Sequence, residues 1–571
     1  MRYPWRMGFL CAHRSWAGVL CTVLWIASAP AMAARKPVEP PLLSSTFSDA
    51  IESGVSNGAY ATVAVGVIDG KRSGSFYFGH RDGAQSKPAD NDSLFELGAV
   101  SEVFTGILLA QAAVEGKLRF SEPVEKFLPP SFPFADTRLG KISLAQLATQ
   151  HSALPAQPAN LFPDDLDDPY AVYAAEDLLA LLAFQRGSGE AGETAHSYSV
   201  LNAGLLGHLL GRVYQTAYTE ALASKVLAPL GLQHVSFTDG DNLLPGHAHG
   251  AIVPHWHYGV LAGAAGLRAS LPDMLAFLQR NLTPEDSILR SALLLARQPQ
   301  MAGPADQIGF GWNVREKSDD VASWPLVWRA SRTAGFASFV GFRTDRQRAI
   351  VLLGNASEDV AALGMAWLMD GAPPQAPRAS DVIATNRLDD YPGLYQIAAG
   401  NEAVVRVTAN RLSLQLPGGF PRRLHAADKD VFVADSGMLG VTFMRGIDDV
   451  NGLVLHAGGG NVSASRLSVH APRLARASIA TTAAARDAVV GDYRLDDANW
   501  LRITSSAPGL TLQWTLGERR SIFAYAHDRY ADAEGVLDLR LLRDAQGRVA
   551  KIRLELAGAS REAVPLRRPV P

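Results

Sequence analysis

The sequence predicts an α+β domain followed by two small all-β domains. Between about Leu42 and Gly371, short β-forming runs alternate with amphipathic helical stretches. A proline-rich stretch opening with Gly371-Ala-Pro-Pro-Gln-Ala-Pro377 and running to about residue 390 then breaks the pattern and reads as a linker. Beyond it, apolar and polar residues alternate with a period of two, and that texture occurs twice. The expected boundaries are 34–375 for the large domain, 376–470 for the first β domain and 485–571 for the second.

Ahead of these domains, residues 1–33 read as a secretory signal. Arg2, Arg6 and Arg14 precede an apolar run from Trp16 to Ala29, and Ala31-Met32-Ala33 supplies a small-x-small cleavage site. Cleavage after Ala33 and a secreted or periplasmic location are expected. The apolar run is short for a bilayer span, and no later segment offers about eighteen uninterrupted apolar residues, so no membrane span is expected in the mature chain. Both cysteines, Cys11 and Cys21, fall within the signal, so neither a disulfide nor a thiolate metal site is expected after cleavage. Leu20 before Cys21 argues against lipid attachment there. The net charge of −3, with both signs scattered along the 571 residues, gives no footprint for nucleic acid or an anionic bilayer.

Tyr60 to Gly70 reads as a strand ending in an Asp-Gly turn, with Ser73 to Gly79 as its hairpin partner. Val100, Val103, Phe104, Ile107, Leu108 and Gln111 to Val114 recur at helical spacing until Gly116, a suitable C-terminal stop. Past the linker, Val404 to Leu416 alternates across a turn at Asn410, with Leu412, Leu414 and Leu416 on one face. Val431 to Val433, Val441 to Phe443 and Leu453 to Leu455 continue as short strands.

The tail repeats this module. Gly393-Leu-Tyr395 recurs as Gly491-Asp-Tyr493, and Val405-Arg-Val-Thr408 with Leu412-Ser-Leu-Gln415 recurs as Leu501-Arg-Ile-Thr504 with Leu510-Thr-Leu-Gln513. Continuing the match aligns Thr442-Phe443 with Asp538-Leu539 and the turn from Asp449 to Gly452 with that from Asp544 to Gly547. An Ala-rich stretch at 471–487 separates the copies. Tandem small barrels or open sheets are the plain reading.

The stretch Phe95-Glu-Leu-Gly-Ala99-Val100-Ser101-Glu102 resembles the active-site helix of the serine β-lactamase and penicillin-binding-protein superfamily, where that frame reads Phe-Glu-x-Gly-Ser-x-x-Lys. Ile142 to Thr149 with Ser152-Ala-Leu-Pro155 resembles that superfamily's Leu-Ala-Thr-His-Thr-Ser-Gly-Leu-Pro segment. Leu261 to Ser270, with Asp273-Met274, is similar to its Ala-Gly-Gly-Leu-x-Ser block. The resemblance covers residues about 42–370 and implies an antiparallel sheet flanked by helices. The terminal modules resemble the lipocalin-like C-terminal domains often appended to such hydrolases.

The same resemblance implies a serine nucleophile activated by a lysine one helical turn on, with help from a Tyr-x-Asn motif. Here Ala99 stands for the serine and Glu102 for the lysine. A methyl group cannot attack a carbonyl, and a carboxylate cannot replace the cation. Tyr198 keeps the phenol of the second motif, but Val200 replaces its asparagine. At the third motif, usually Lys or His-x-Gly, Arg329 keeps a positive charge and Ser331 replaces the glycine, narrowing the room left for an oxyanion. Glu102 is expected either to pair with Arg329 or Arg332 or to lie solvated in the first helical turn. Tyr198, Arg329, Arg332 and Glu102 are the candidate ligand-binding residues.

No lysine in the chain has a serine three residues before it. Ser101 lies two residues beyond the nucleophile's place, roughly 200° around the helix axis. Gly54-Val55-Ser56-Asn57-Gly58 fits Gly-x-Ser-x-Gly, but it leads into a strand rather than out of one and reads as a turn. His247, His249, His255 and His257 could face a zinc ion as His-x-His pairs, or be ordinary loop histidines; no carboxylate or cysteine sits at ligand spacing beside them in sequence. Gly458-Gly-Gly460 reads as a loop rather than a phosphate cradle. No cofactor is expected.

Three functions fit these residues. One is a non-catalytic relative binding a peptide, a cell-wall fragment or a protein partner. Another is a working hydrolase of β-lactamase, esterase or D-peptidase type with a non-standard nucleophile or a metal-bound water. The third makes the β modules the binding part and the large domain a scaffold.

Overall fold

The computed structural model describes residues 41–566 apart from short segments, the longest being 187–194, 317–324, 376–387 and 470–475. The signal at 1–33, most of the proline-rich linker, His249 and the first two glycines of Gly458-Gly-Gly460 therefore lie outside the described residues.

An eight-stranded sheet organises the large domain. Its strands are β1 (Thr62–Asp69), β2 (Arg72–Gly79), β3 (Met301–Ala302), β4 (Gln307–Ile308), β5 (Asn313–Arg315), β6 (Leu326–Arg332), β7 (Ala337–Arg343) and β8 (Arg348–Gly354), in the order β2-β1-β8-β7-β6-β5-β4-β3, with every pair antiparallel. β1 and β8 are buried along nearly their whole length because helices cover both faces. Val63, Val65 and Val67 pack with Phe339, Ile350 and Leu352 against α1 (Ser45–Ser56) and the C-terminal helix Ala361–Leu368. The alternate residues Ala64 and Ile68 join Val340, Val351 and Leu353 on the opposite face. The period of two thus serves two cores at once.

α2 (Ser101–Val114) is the central helix, preceded by a single 3₁₀ turn at Gly98–Val100. All its residues from Ser101 to Ala112 are buried. Phe104 meets Phe277 at 4.5 Å between ring centroids, and Phe277 stacks in turn on Trp312. At Gly106 a Cβ would sit 2.2 Å from the Phe310 carbonyl oxygen, so only glycine lets this backbone approach so closely. Gly54 to Gly58 forms the end of α1 and the turn into β1, as its order in the chain suggests.

Two closed eight-stranded barrels follow, spanning Gly393–Ser468 and Gly491–Leu566, each with consecutive strands paired and its last strand returning to its first. The Ala-rich stretch is not purely a linker, since Ala483–Asp487 is a short helix capped by Thr482. Both barrels are filled by side chains, Tyr395, Leu414, Phe432 and Phe443 in the first and Tyr493, Leu512, Trp514 and Leu541 in the second.

Side-chain hydrogen bonds fix how the copies correspond. Tyr395 donates to the Tyr391 carbonyl and Tyr493 to that of Val489; Gln415 donates to Gly419 and Gln513 to Gly517. Arg445 pairs with Asp430 and Arg543 with Asp528, and the amides of Phe443 and Leu541 donate to those two aspartates' carbonyls. One constant offset relates all these pairs, and it aligns Phe443 with Leu541 rather than Leu539 and Val405 with Ile503 rather than Leu501. The sequence match slips by two residues there because a two-residue shift returns a strand to the same face and leaves its alternation unchanged.

The barrels meet the large domain along an acidic strap at 159–168. Asp167 pairs with Arg423 of the first barrel at 2.5 Å, and Asp164 pairs with Arg519 of the second. Leu516 donates its amide to Leu161, Thr515 its hydroxyl to Ala159, and Gln513 its amide group to Pro163.

Gln513 and Gln415 are thus repeat equivalents of which Gln513 alone is described as bonding the strap. Gln513→Ala leaves the buried Pro163 carbonyl without its donor and is expected to cost about 1–3 kcal/mol in urea unfolding. Hydrogen exchange over 159–168 rises in that variant and stays unchanged in Gln415→Ala.

Candidate active site

The first turn of α2 faces β6. Arg329 and Ser331 lie two apart on β6 and share its inward face, while Ser338 stands opposite Ser331 on β7. These three side chains grip the chain entering α2. Ser338 donates its hydroxyl to the Leu97 carbonyl at 2.8 Å, the Ala99 amide donates to Ser331 Oγ at 2.6 Å, and Arg329 Nε reaches the Ala99 carbonyl at 3.4 Å. Gly98 makes this possible. Its φ is +52°, and a Cβ there would meet Ser331 Oγ at 2.2 Å.

Glu102, one turn on from Ala99, points into the same space. Its Oε2 lies 2.5 Å from an Arg329 guanidinium nitrogen, with the carboxylate and guanidinium side chains only 3% and 10% exposed. Gln150 donates to the same oxygen at 3.2 Å. The other oxygen, Oε1, has no hydrogen-bond partner among the described residues. Burial pushes the Glu102 pKa up; Arg329, Gln150 and Tyr198 pull it down without cancelling the rise. Arg332 is exposed and takes no described part in the pair.

Tyr198 is 46% exposed as a residue, yet its phenol faces Glu102. Desolvation of that end, then the carboxylate, hold its pKa well above the ordinary phenol value. Val200 is buried at the start of α3 (Val200–Tyr214), its amide donating to Ala156, and contributes no polar group to the cleft. His196 packs edge-on against His151 at 5.5 Å; burial, then His151 and Arg329, lower its pKa.

Gln150 was not singled out in the sequence, although it departs from the motif at the position of that segment's histidine. Its φ of +64° turns the side chain inward after the short helix Leu144–Ala148. Its carbonyl group accepts from the Ser199 amide at 2.9 Å and the Asn202 amide group at 2.6 Å, while its NH₂ reaches Glu102. Gln150 therefore joins α2 to α3, the link that Val200 cannot make.

The described histidines have separate partners. His247 bonds the Asn355 carbonyl, His255 lies 3.2 Å from Glu96, and His257 sits between Asp168 at 2.6 Å and Asp239 at 3.0 Å. The carboxylates missing beside them in sequence come from distant segments. No group of three or more metal-ligating side chains occurs among the described residues.

A family model described as Beta-lactamase matches residues 47–372. The chain belongs to the beta-lactamase family. Within the family, a beta-lactamase of Escherichia coli (strain K12) is 27% identical over 387 residues, covering 61% of this chain and 97% of that protein. The D-alanyl-D-alanine-carboxypeptidase/endopeptidase AmpH of the same organism is 26% identical over 314 residues, covering 51% of this chain and 79% of its own length. A class C beta lactamase from Rhodobacter sphaeroides superposes with a TM-score of 0.50 at 22% identity, covering 57% of this chain and 99% of that one, a likeness of fold. These matches and the antiparallel sheet agree with the family and fold class read from the sequence.

With its pKa raised by folding, Glu102 contributes stability that is fully present below the ordinary carboxylate value and lost as pH rises through the raised one. Glu102→Gln removes this dependence. Its stability relative to the native chain is expected to improve steadily as pH is raised from about 4.5, the ordinary value, toward neutrality, measured by denaturant unfolding at each pH.

Proposed function

We propose that this protein is an exported member of the beta-lactamase family that has given up acyl transfer and binds a peptide, a cell-wall fragment or a protein partner without turnover. The observation that carries this reading is the Glu102–Arg329 pair at 2.5 Å beside the methyl group of Ala99. The nucleophile is missing, and its lysine partner is replaced by an acid that engages the cleft's buried cation. For scale, removing the nucleophile of an unrelated serine protease costs about a millionfold in rate, and here the activating group is absent as well.

Ligand recognition falls to the cleft's remaining accessible groups, the exposed Tyr198 and the half-buried His196. An exposed aromatic ring suits the amide planes of a short peptide. Export follows from the composition of residues 1–33, and no described helix is long and apolar enough to cross a membrane.

Titration calorimetry with a peptide ending in D-Ala-D-Ala is expected to give a binding heat that disappears in Tyr198→Ala, with no D-alanine released. Release of D-alanine above the buffer control contradicts the reading. In a Gram-negative host, the exported protein is expected to begin at Ala34 on N-terminal sequencing.

A further inference from the structure

The missing nucleophile is not the only barrier to acylation that this cleft contains. In acyl transfer through a side-chain nucleophile, the backbone amide of the nucleophile's own residue is well placed to hold the developing oxyanion. Here that amide belongs to Ala99, and it already donates to Ser331 Oγ at 2.6 Å. The hydroxyl is seated over Gly98, 2.2 Å from where a Cβ would be, and it fills the space left by the missing side chain. A substrate's acyl oxygen reaching for the Ala99 amide must first displace it.

We propose that Ser331 is a specificity-determining residue that occupies the oxyanion position and keeps a substrate's acyl oxygen off the Ala99 amide. This rests on the non-catalytic reading and deepens it. Ser331 offers the Ala99 amide an oxygen, just as Glu102 offers Arg329 a carboxylate, so the chain supplies from within both groups that a substrate would bring. Restoring the alcohol and the amine alone is then insufficient, because the oxyanion donor remains engaged.

The test compares Ala99→Ser/Glu102→Lys with Ala99→Ser/Glu102→Lys/Ser331→Gly, using a fluorescent penicillin as the probe and intact-protein mass as the check. In a labelled chain, the hydroxyl oxygen introduced at position 99 bonds to the lactam carbonyl carbon. The lactam C–N bond breaks, and the hydroxyl's proton ends on the departing nitrogen. The triple variant is expected to label on the order of 100-fold faster than the double, the scale of one oxyanion donor. Equal rates overturn the proposal, as does an unlabelled triple variant that still melts cooperatively.

Should the triple variant fail to fold, Ser331→Ala in the native chain decides. Hydrogen exchange at the Ala99 amide is expected to quicken at least tenfold when its acceptor is removed, and an unchanged rate overturns the proposal. Labelling of the native chain overturns the non-catalytic reading itself and the proposal with it, an outcome distinct from the failures above.

Discussion

The grip of β6 on the entrance to α2 is the constraint around which the cleft is arranged. α2 is buried on all sides, so its first turn must satisfy its polar groups with protein partners rather than water. Ser338, Ser331 and Arg329 provide them from two adjacent strands. Glu102, the one acid in that turn, is affordable only because Arg329 and Gln150 converge on it. Gly98 is part of the same arrangement, since both its positive φ and its lack of a side chain are needed for Ser331 to approach.

This arrangement keeps the frame of a hydrolase and changes what fills it. A cation remains on β6 and a phenol remains ahead of α3, but the groups facing them now come from the chain. Buried ion pairs add little net stability over an apolar replacement, whereas removing one partner alone is costly. The pair is therefore better understood as fixing the cleft's geometry than as strengthening the fold. The barrels attach elsewhere, through the strap at 159–168 and, for the second barrel, through Asp177, Phe184 and Gln185 as well; the strap also reaches the cleft's surroundings through His257 on Asp168.

Much of this was legible in the sequence. Helical spacing from Val100 to Val114 located α2, ordered motifs located the family, and Gly393-Leu-Tyr395 against Gly491-Asp-Tyr493 located the repeat. The residues that escaped notice act through conformation or distance. Gln150 matters because a left-handed backbone turns its amide inward, which no periodicity records. Ser331 could be seen to narrow the cleft, but its contact with the Ala99 amide depends on the φ of Gly98. Nothing in the sequence marks the strap's aspartates as a contact surface, because their arginines lie more than 200 residues away in the second half of the chain.

Whether Glu102 and Arg329 are energetically coupled decides how this cleft is held together. A double-mutant cycle with Glu102→Leu, Arg329→Met and the pair combined, followed by urea unfolding, tests this. Arg329→Met alone is expected to cost about 3–5 kcal/mol by stranding a buried carboxylate, with the double variant recovering most of that loss. Costs that simply add would show that the two side chains do not depend on each other, and the description of a cleft closed by its own charges would be wrong.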